Sequence, residues 1–473
     1  MKSILALFII AGTILMAQEK FADIKGEIQQ GNFKKAAKLI ELKLNDNSLS
    51  ELDKLDLKFE LERMDRIRKD FRKTEQDVLD YVKKYYPDAD GSTLEKYEQD
   101  GSLEYKIIDG EKLYFNRSHA NLFRINKEAK AKKEEVDGVK KDGLDEFLEG
   151  YLPGVVKEIK ETGENFVKPV KINLDYTITV DADVVPDGEM IRCWMPFPRE
   201  GHGRQQDIRL ISANSDEYII ADNNNMQRTI YMEKPSVAGE KTIFNIKMEY
   251  TGKNEWYDID PDKVGDYDKS SDMYQHYTSE RAPHILFTDE IKKLSEEIVG
   301  DETNPYLIAK KIFTWINNNI PWAGAREYST IRNISQYCVT RGHGDCGIKT
   351  LTFMTLCRYY GIPTRWQSGW MLQPGQTNLH DWGQFYLEGY GWVPVDQSFG
   401  IVDSENEDVA YFFLGGMDAY RLIANDDFSK PLFPAKIYPR SETVDFQRGE
   451  LEWRGGNLYF DKWDYNMNVE YSE

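Results

Sequence analysis

Apolar residues recur at helical spacing through the first part of the chain. One stripe starts at Phe21 and a second starts at Phe33, after a polar break at residues 30–32. This pattern predicts an antiparallel pair of helices. Apolar positions over residues 57–82, opposite a charged face, predict one long amphipathic helix. We therefore expect a mainly helical N-terminal domain over residues 18–165, with a packing or interaction role rather than chemistry.

The hydrophobic period changes near residue 168. Apolar and polar residues alternate over residues 172–180 and again over residues 244–250. Period-two alternation is typical of strands with one buried face. Turn residues separate several such segments, so the sequence predicts an antiparallel β-sandwich over residues 168–260. Helical and strand patterns mix over residues 284–473, where we expect a catalytic domain with a β-rich C-terminal extension.

Residues 1–17 have the pattern of a secretory signal peptide. Lys2 precedes an apolar run, and Ala17 stands before polar residues. The run is shorter than the roughly 20 apolar residues that a membrane span needs, and no later segment is apolar enough to span. We expect cleavage after Ala17 and export to a bacterial periplasm or the medium, with an uncleaved N-terminal anchor as the alternative.

The charge of the chain excludes one class of function. The 473 residues include 81 acidic and 61 basic side chains, which gives a formal net charge of −20. A protein that neutralises phosphates needs the opposite balance, so we expect no nucleic-acid partner. Aromatic residues make up 13% of the chain, which argues against wholesale disorder.

The chain has four cysteines, Cys193, Cys338, Cys346 and Cys357. Four thiols in so long a chain do not form a disulfide framework. If one of them is reactive, at most one bridge can form, and Cys338 with Cys357 is the more plausible pair. The sequence does not decide whether that bridge exists.

Cys346 stands at the predicted start of a central helix. It lies within Gly344-Asp345-Cys346-Gly347, before a nearly uncharged segment that ends at Gly361-Ile362-Pro363. Free N–H groups and the helix macrodipole favour a thiolate at this position. Flanking glycines let a substrate backbone approach closely. An inert structural cysteine is the alternative, although mid-helix Cys357 fits that role better.

His380 and Asp396 lie on two predicted strands joined by a Gly-rich turn centred at residue 388. A hairpin there brings the imidazole and the carboxylate to neighbouring positions. They share a face only if the loop has three residues or contains a bulge. A thiolate that attacks an acyl carbon, an imidazole that moves the proton and a carboxylate that orients the imidazole form a nucleophilic triad. If each residue is considered alone, the alternative for His380 is a structural histidine and the alternative for Asp396 is an acid that caps a turn.

Four motifs resemble those of the transglutaminase-like superfamily in order and spacing. They are Gly344-Asp345-Cys346-Gly347, Gly361-Ile362-Pro363-Thr364-Arg365, His380-Asp381-Trp382 and Gly391-Trp392-Val393-Pro394-Val395-Asp396. The resemblance covers about residues 300–400 and implies an α+β, papain-like fold. In it Cys346 is the nucleophile, His380 the base and Asp396 the orienting acid. Asp381 departs from the small residue that often follows the family's histidine.

Substrate contacts are expected close to these motifs, at Trp322, Gly344 and Trp382. The backbone N–H of Cys346 is a natural oxyanion donor, since it lies at the helix start. The second donor stays open between Trp322, Tyr337 and Gln336. In the C-terminal segment, Arg421 or Arg448 could bind a substrate carboxylate, although extra strands are the preferred interpretation of that segment.

We expect neither a metal nor a cofactor. The acidic segment 258–262 is more typical of a solvated loop than of a cation site. The interval between Cys338 and Cys346 lacks the short spacing of a zinc knuckle.

The leading hypothesis is a secreted thiol enzyme that acts on amide or peptide bonds through an acyl intermediate on Cys346. Hydrolysis is preferred over amine transfer, because an exported enzyme meets water everywhere. The alternatives are a cross-linking protein-glutamine acyltransferase and a catalytically silent binding or scaffold protein on the same fold. The expected partner is a protein, peptide or cell-wall peptide substrate, and the oligomeric state stays open.

Overall fold

The computed structural model describes residues 20–472. The predicted signal peptide at residues 1–17 lies outside the described residues. Helices and antiparallel sheets both contribute to the described chain, so the α+β class is confirmed. Within residues 20–472, no helix is both long and apolar enough to cross a membrane.

The N-terminal part is helical with one small sheet. Its elements are α1 (Ala22–Gln29), α2 (Phe33–Leu44), α3 (Glu51–Asp70), β1 (Phe71–Lys73), α4 (Glu75–Val82), α5 (Gly91–Gln99), β2 (Tyr105–Ile108), β3 (Glu111–Phe115), α6 (Ser118–Ile125) and α7 (Lys127–Asp137). The predicted antiparallel pair is α1 and α2. The single long helix predicted over residues 57–82 is wrong. Buried Phe71 pairs with Phe115 in the sheet, and Thr74 then starts α4 with a capping box.

The next helix, α8 (Gly143–Thr162), packs on the core that follows the sandwich rather than on the helices before it. Its buried residues, among them Leu148, Leu152 and Val155, belong to the same hydrophobic cluster as the central helix of that core. The predicted domain boundary at residue 165 is therefore too late, because the apolar face of α8 is buried against elements that follow it.

The β-sandwich begins with six strands. They are β4 (Phe166–Val180), β5 (Met190–Pro196), β6 (Gln205–Ala213), β7 (Tyr218–Ile220), β8 (Thr229–Pro235) and β9 (Thr242–Trp256). The alternation over residues 172–180 buries Ile172, Leu174 and Tyr176 on one face. These side chains form the core between the two sheets with residues of β5 and β9.

A core of helices and one antiparallel sheet follows the sandwich. Its elements are α9 (Asp272–Thr278), α10 (Asp289–Val299), α11 (Pro305–Asn319), α12 (Ile334–Arg341), α13 (Cys346–Tyr359), β10 (Thr364–Gln373), β11 (Gln376–Leu387), β12 (Gly391–Val395), α14 (Glu407–Ala410), β13 (Gly416–Met417) and β14 (Arg421–Asn425). A four-stranded antiparallel sheet runs in the order β12-β11-β10-β14. The helix α13 packs on this sheet, where Phe353 meets Phe385 edge to face.

The C-terminal strands return to the sandwich. They are β15 (Glu450–Trp453), β16 (Gly456–Leu458) and β17 (Trp463–Ser472). One sandwich sheet runs β13-β9-β4-β17, with β6 also paired to β9, and the other runs β16-β15-β5-β8-β7. The prediction that these C-terminal strands extend the domain of residues 284–473 is therefore corrected, because they belong to the sandwich. Residues 450–472 complete the edges that β4 and β5 would otherwise leave open.

All four cysteines carry free thiols. Cys338 and Cys357, the suggested disulfide pair, are both buried in the hydrophobic cluster around α13. They contribute to packing as small apolar side chains.

Candidate active site

The helix α13 presents Cys346 as its first residue. Asp345 caps the helix, and its side chain accepts a hydrogen bond of 3.2 Å from the backbone N–H of Ile348. All residues from Gly347 to Arg358 are buried, whereas Cys346 is half-buried. The predicted position of this cysteine, at the start of a helix buried on most sides, is confirmed.

The β11–β12 hairpin brings His380 and Asp396 together. Leu387 pairs with Gly391, so the loop has three residues and is centred one residue later than predicted. This register continues to place Asp396 beside Trp382, on the same face as His380 and diagonal to it. The His380 Nε2 atom lies 2.7 Å from Asp396 Oδ2, and both side chains are buried.

Asp396 is held as an anion. Its Oδ2 also accepts from Arg421 Nη1 at 2.8 Å, and its Oδ1 accepts from the backbone N–H of Ser398 and of Phe399. Burial alone would raise the pKa of Asp396, but His380, Arg421 and these hydrogen bonds hold it well below its usual range. Burial lowers the pKa of His380 despite the neighbouring carboxylate. A neutral imidazole that donates from Nε2 keeps Nδ1 as its basic atom.

The imidazole is packed between aromatic rings. Trp382 stacks on His380 with centroids 5.9 Å apart, and Phe399 meets it edge to face at 5.0 Å. The indole N–H of Trp382 donates to Gln367 at 3.0 Å. Because Trp382 has no exposed surface, its expected place among the substrate contacts is not supported. Its position behind the ring fixes the imidazole plane.

The thiol of Cys346 donates to Asp381, whose Oδ2 lies 3.4 Å from Sγ. Asp381 directly follows His380, and successive side chains of a strand point to opposite faces, so the two side chains leave β11 in opposite directions. Within residues 20–472, no hydrogen bond joins Sγ to His380, so proton transfer between them stays a prediction. Burial raises the pKa of Cys346, and the carboxylates of Asp381 and Asp345 raise it further.

Tyr328 and Gln447 hold Asp381 in place. The Tyr328 hydroxyl lies 2.7 Å from Asp345 Oδ1 and 3.3 Å from Asp381 Oδ2, and it accepts from the backbone N–H of Gly347. Gln447 Nε2 donates to Asp381 Oδ1 at 2.6 Å and to the carbonyl of His380 at 2.7 Å. One network thus joins the start of α13 to the strand that carries His380.

Two acids in this network, Asp381 and Asp345, have raised pKa values. Burial, with the charges of Asp445 and Asp345, raises the pKa of Asp381 well above its usual value. Burial also raises the pKa of Asp345 to about 6, although Tyr328 and the N–H of Ile348 oppose the shift. Cys346 therefore lies among buried carboxyl groups whose pKa values are raised.

The family can now be stated from a direct match. Residues 292–397 match the family model of the transglutaminase-like superfamily, a range that includes Cys346, His380 and Asp396. This chain carries a transglutaminase-like core. The match confirms the family that the four sequence motifs predict.

Proteins from several bacteria resemble this chain. An uncharacterized protein of Haemophilus influenzae is 24% identical over 294 residues, which are 52% of this chain and 76% of that protein. A candidate cysteine protease from Cytophaga hutchinsonii, of known crystal structure, is 15% identical with a TM-score of 0.41, over 65% of this chain and 91% of that one. The periplasmic domain of TgpA from Pseudomonas aeruginosa is 12% identical with a TM-score of 0.25, over 48% of this chain and 88% of that one.

Trp322 and Gly344 lie side by side in the transglutaminase-like core. They form a parallel bridge, in which Ala323 N donates to the Gly344 carbonyl at 3.1 Å. Trp322 is 40% exposed, and the guanidinium of Arg124 from α6 lies over its ring at 4.6 Å. Gly344 lies two residues before Cys346 in the sequence, and the bridge holds Trp322 beside Gly344. Their expected substrate contacts stay a prediction.

The other suggested polar groups are bound by other residues of this chain. The Tyr337 hydroxyl donates to Glu104 at 3.0 Å, and the Gln336 amide bonds Thr288 and Thr340. Arg421 does bind carboxylates, but they are Asp396 and Asp418 of this chain. Within residues 20–472, no group of three or more His, Cys, Asp or Glu side chains is arranged to hold a metal ion.

Sequence reasoning missed Tyr328, Gln447 and the role of Arg421. Tyr328 lies 18 residues before the nucleophile, in a single-turn 3-10 helix, and Gln447 lies in a segment without regular structure. No spacing rule connects such residues to a catalytic motif. Asp381 did carry a signal, because a charged residue replaces the usual small one in the third motif.

Proposed function

We propose that this chain is a thiol enzyme that acts on amide or peptide bonds through an acyl intermediate on Cys346. The observation that supports the proposal most is the buried His380–Asp396 pair, with Nε2 2.7 Å from Oδ2. The thiol at the start of α13 contacts Asp381, the next residue of β11, whose side chain points to the opposite face from His380. A helix-start cysteine and a carboxylate-oriented histidine are the parts that acyl transfer needs.

In the proposed reaction, the Cys346 side chain first turns from Asp381 towards the imidazole. His380 Nδ1 then takes the thiol proton, and Sγ forms a bond to the substrate carbonyl carbon. The N–H of Cys346, at the helix start, is suited to stabilise the oxyanion. The C–N bond then breaks, and the imidazolium returns the proton to the departing amine. Water, deprotonated by His380, attacks the thioester carbon, which releases the acid and restores the thiol.

Hydrolysis is the preferred outcome, because an exported enzyme meets water everywhere. We propose export on the pattern of residues 1–17, so that the substrates are proteins, peptides or cell-wall peptides of a bacterial periplasm or the medium. Amine attack on the same thioester would instead make the chain a cross-linking acyltransferase. The two reactions share every step up to the thioester.

A catalytically silent binding protein is the second candidate, and one observation favours it. The thiol donates to Asp381 and lies among buried carboxyls that raise its pKa. A thiol that keeps its proton is a poor nucleophile. In that case the fold would serve recognition alone.

The test uses the full chain, a peptide library and mass spectrometry, with and without methylamine under reducing conditions. The variants are Cys346→Ala and His380→Ala, with His276→Ala as a control, because His276 is an exposed histidine on α9. We expect cleavage that falls by roughly 10³-fold or more in the first two variants and is unchanged in the control.

Each other result has a definite meaning. Methylamine incorporation that depends on Cys346 would show that the chain is an acyltransferase rather than a hydrolase. Cleavage that persists in Cys346→Ala would show that Cys346 is not the nucleophile. No reaction by a folded wild-type chain would favour the silent binding protein.

A further inference from the structure

A cavity of about 530 Å³ lies between the N-terminal helices and the catalytic core. Its walls are α3 and β2 on one side and residues 326–332 on the other. Cys346 does not line this cavity, but Tyr328 does. Its volume is in the range of small-ligand sites, about 300–1,000 Å³.

The cavity wall is basic although the protein is acidic. Its described lining contains one acid, Glu60, and five bases: Lys25, Arg63, Lys106, Arg326 and Arg332. The whole chain has a net charge of −20. Such a concentration of cations in an acidic protein is not explained by average composition.

Lys106 makes no ion pair within the part of the chain that the structure describes. Arg63 pairs with Glu60 at 2.6 Å, and Arg326 Nε lies 3.3 Å from Glu104 Oε1. Within residues 20–472, no carboxylate oxygen is within 4 Å of Lys106 Nζ. Burial lowers the pKa of Lys106, and the nearby cations Arg326 and Arg63 lower it further, although Glu104 opposes them.

Arg326 adds unused hydrogen-bonding capacity. Its side chain is 9% exposed, and its buried Nε atom has no hydrogen-bond partner within residues 20–472, because the contact with Glu104 is poorly aligned for one. A buried guanidinium N–H without an acceptor is costly. A carboxylate beside Arg326 and Lys106 would accept from Nε and offset the charge of the lysine.

The remaining wall favours a peptide over a bare ion. Ile28, Phe59 and Ile331 give it apolar surface, and burial lowers the pKa of His284 to about 4, so that this imidazole is neutral. Apolar walls around a few charged groups are typical of sites for organic ligands.

We propose that this cavity binds the carboxylate of a peptide, with Lys106 and Arg326 as the groups that receive it. The site is separate from the reaction at Cys346 and goes beyond the proposed function. The two are connected through Tyr328, which lines the cavity and bonds Asp345 and Gly347 at the start of α13.

The test measures peptide binding by calorimetry in the Cys346→Ser background, which prevents turnover. Three short peptides differ in whether and where they carry a carboxylate. Acetyl-Ala-Ala-Glu-amide carries a side-chain carboxylate, acetyl-Ala-Ala-Ala a C-terminal carboxylate, and acetyl-Ala-Ala-Gln-amide neither. We expect one or both acidic probes to bind at least roughly tenfold more tightly than the neutral probe. The better acidic probe identifies the source of the carboxylate.

Lys106→Met removes the charge and keeps most of the side-chain length. It should weaken the binding of the acidic probes roughly tenfold and leave the binding of the neutral probe unchanged. The control is Lys293→Met, since Lys293 lies on α10 with its side chain 78% exposed. It changes the net charge equally and should not affect binding.

Thermal unfolding separates a binding role from a structural one. We expect Lys106→Met to have a Tm equal to or above that of the parent, because it removes a cation that its neighbours repel. A lower Tm, equal binding of the three probes, or equal binding by parent and Lys106→Met would each overturn the proposal. Since no turnover is measured, these outcomes leave the function proposed for Cys346 untouched.

Discussion

The thiol of Cys346 is directed at the carboxylate of Asp381, with Sγ 3.4 Å from Oδ2, and Asp381 is the residue that follows His380. The nucleophile therefore meets β11 at the position next to its predicted base. In the resting structure an acid, and not the imidazole, is the hydrogen-bond partner of the thiol. We therefore expect the reactivity of Cys346 to depend on this acid as well as on His380.

Replacement of Asp381 by Ala should make Cys346 more reactive. Burial and the carboxylates of Asp381 and Asp345 raise the thiol pKa, so removal of one carboxylate should lower it. A shift of one pKa unit changes the thiolate fraction about tenfold below the midpoint. We expect iodoacetamide alkylation at pH 7 to be about tenfold faster, with the midpoint of its pH profile at lower pH.

The companion variant Asp381→Asn removes the charge but keeps the shape that Gln447 holds. It should shift the midpoint in the same direction, which separates charge from loss of packing. Asp289→Ala is the control, because Asp289 on α10 is fully exposed. An unchanged or higher midpoint in Asp381→Ala would show that this carboxylate does not control the thiol.

Gly347 should not tolerate alanine, although it lies in a helix. A Cβ atom there would be 2.3 Å from Tyr328 Oη and 2.7 Å from Asp381 Oδ2. Alanine normally stabilises a helix by up to about 1 kcal/mol over glycine, but overpacking costs typically about 1–3 kcal/mol. We expect Gly347→Ala to lower the free energy of unfolding, measured by urea denaturation.

A second glycine and a double variant check this explanation. A Cβ atom at Gly150 in α8 would meet nothing within 4 Å, so Gly150→Ala should stabilise the protein. Tyr328→Phe removes the hydroxyl that the added methyl group of Gly347→Ala would meet, so the effects of these two substitutions should be less than additive. Strict additivity would mean that the clash lies elsewhere.

The sequence predicted what depends on local chemistry. Asp345 and Cys346 at the start of a helix and the Gly-rich turn before Asp396 were all visible, because caps and turns use characteristic residues over short distances. The contacts of Tyr328, Gln447 and Arg421 were not visible, because each reaches the site through tertiary packing. The C-terminal strands show the same limit, since β17 pairs with β4 across almost 300 residues of chain.

Loss of Arg421 should destabilise the whole protein. Its guanidinium is fully buried and pairs with Asp396 at 2.8 Å and with Asp418 at 2.9 Å. Removal of one partner from a buried ionic network leaves uncompensated charge and costs about 3–5 kcal/mol. We expect Arg421→Met to lower the free energy of unfolding by about this amount, measured by urea denaturation.

The matched control is Arg209→Met. Arg209 also pairs with a carboxylate, that of Glu249, but its side chain is 64% exposed. Exposed pairs contribute about 0–1 kcal/mol, so this variant should change stability little. Similar losses for both variants would argue against a special role of the buried pair.

The stability of this protein should fall as the pH rises from 5 to 8. Asp445 is buried, and burial raises its pKa to about 7, with Glu327 and Asp345 adding to the shift and Arg448 opposing it. In the unfolded chain an aspartate has a pKa of about 3.9. The folded state therefore binds more protons than the unfolded state over this range. One such group lowers the free energy of unfolding by up to about 1.4 kcal/mol per pH unit between the two pKa values.

Asp396 has the opposite effect at a lower pH. Its folded-state pKa is depressed, so the stability it contributes is lost only as the pH falls below about 4. Urea denaturation at pH 5, 6.5 and 8 thus avoids the range in which Asp396 titrates. Between pH 5 and 6.5 the buried His284 and His380, whose pKa values are lowered, partly oppose the decline. Asp445→Asn should flatten the decline, whereas Asp289→Asn, at a fully exposed position, should leave it unchanged. A stability that rises from pH 5 to 8, or an equal slope in Asp445→Asn, would mean that this carboxyl is charged in the folded protein at neutral pH and balanced by Arg448.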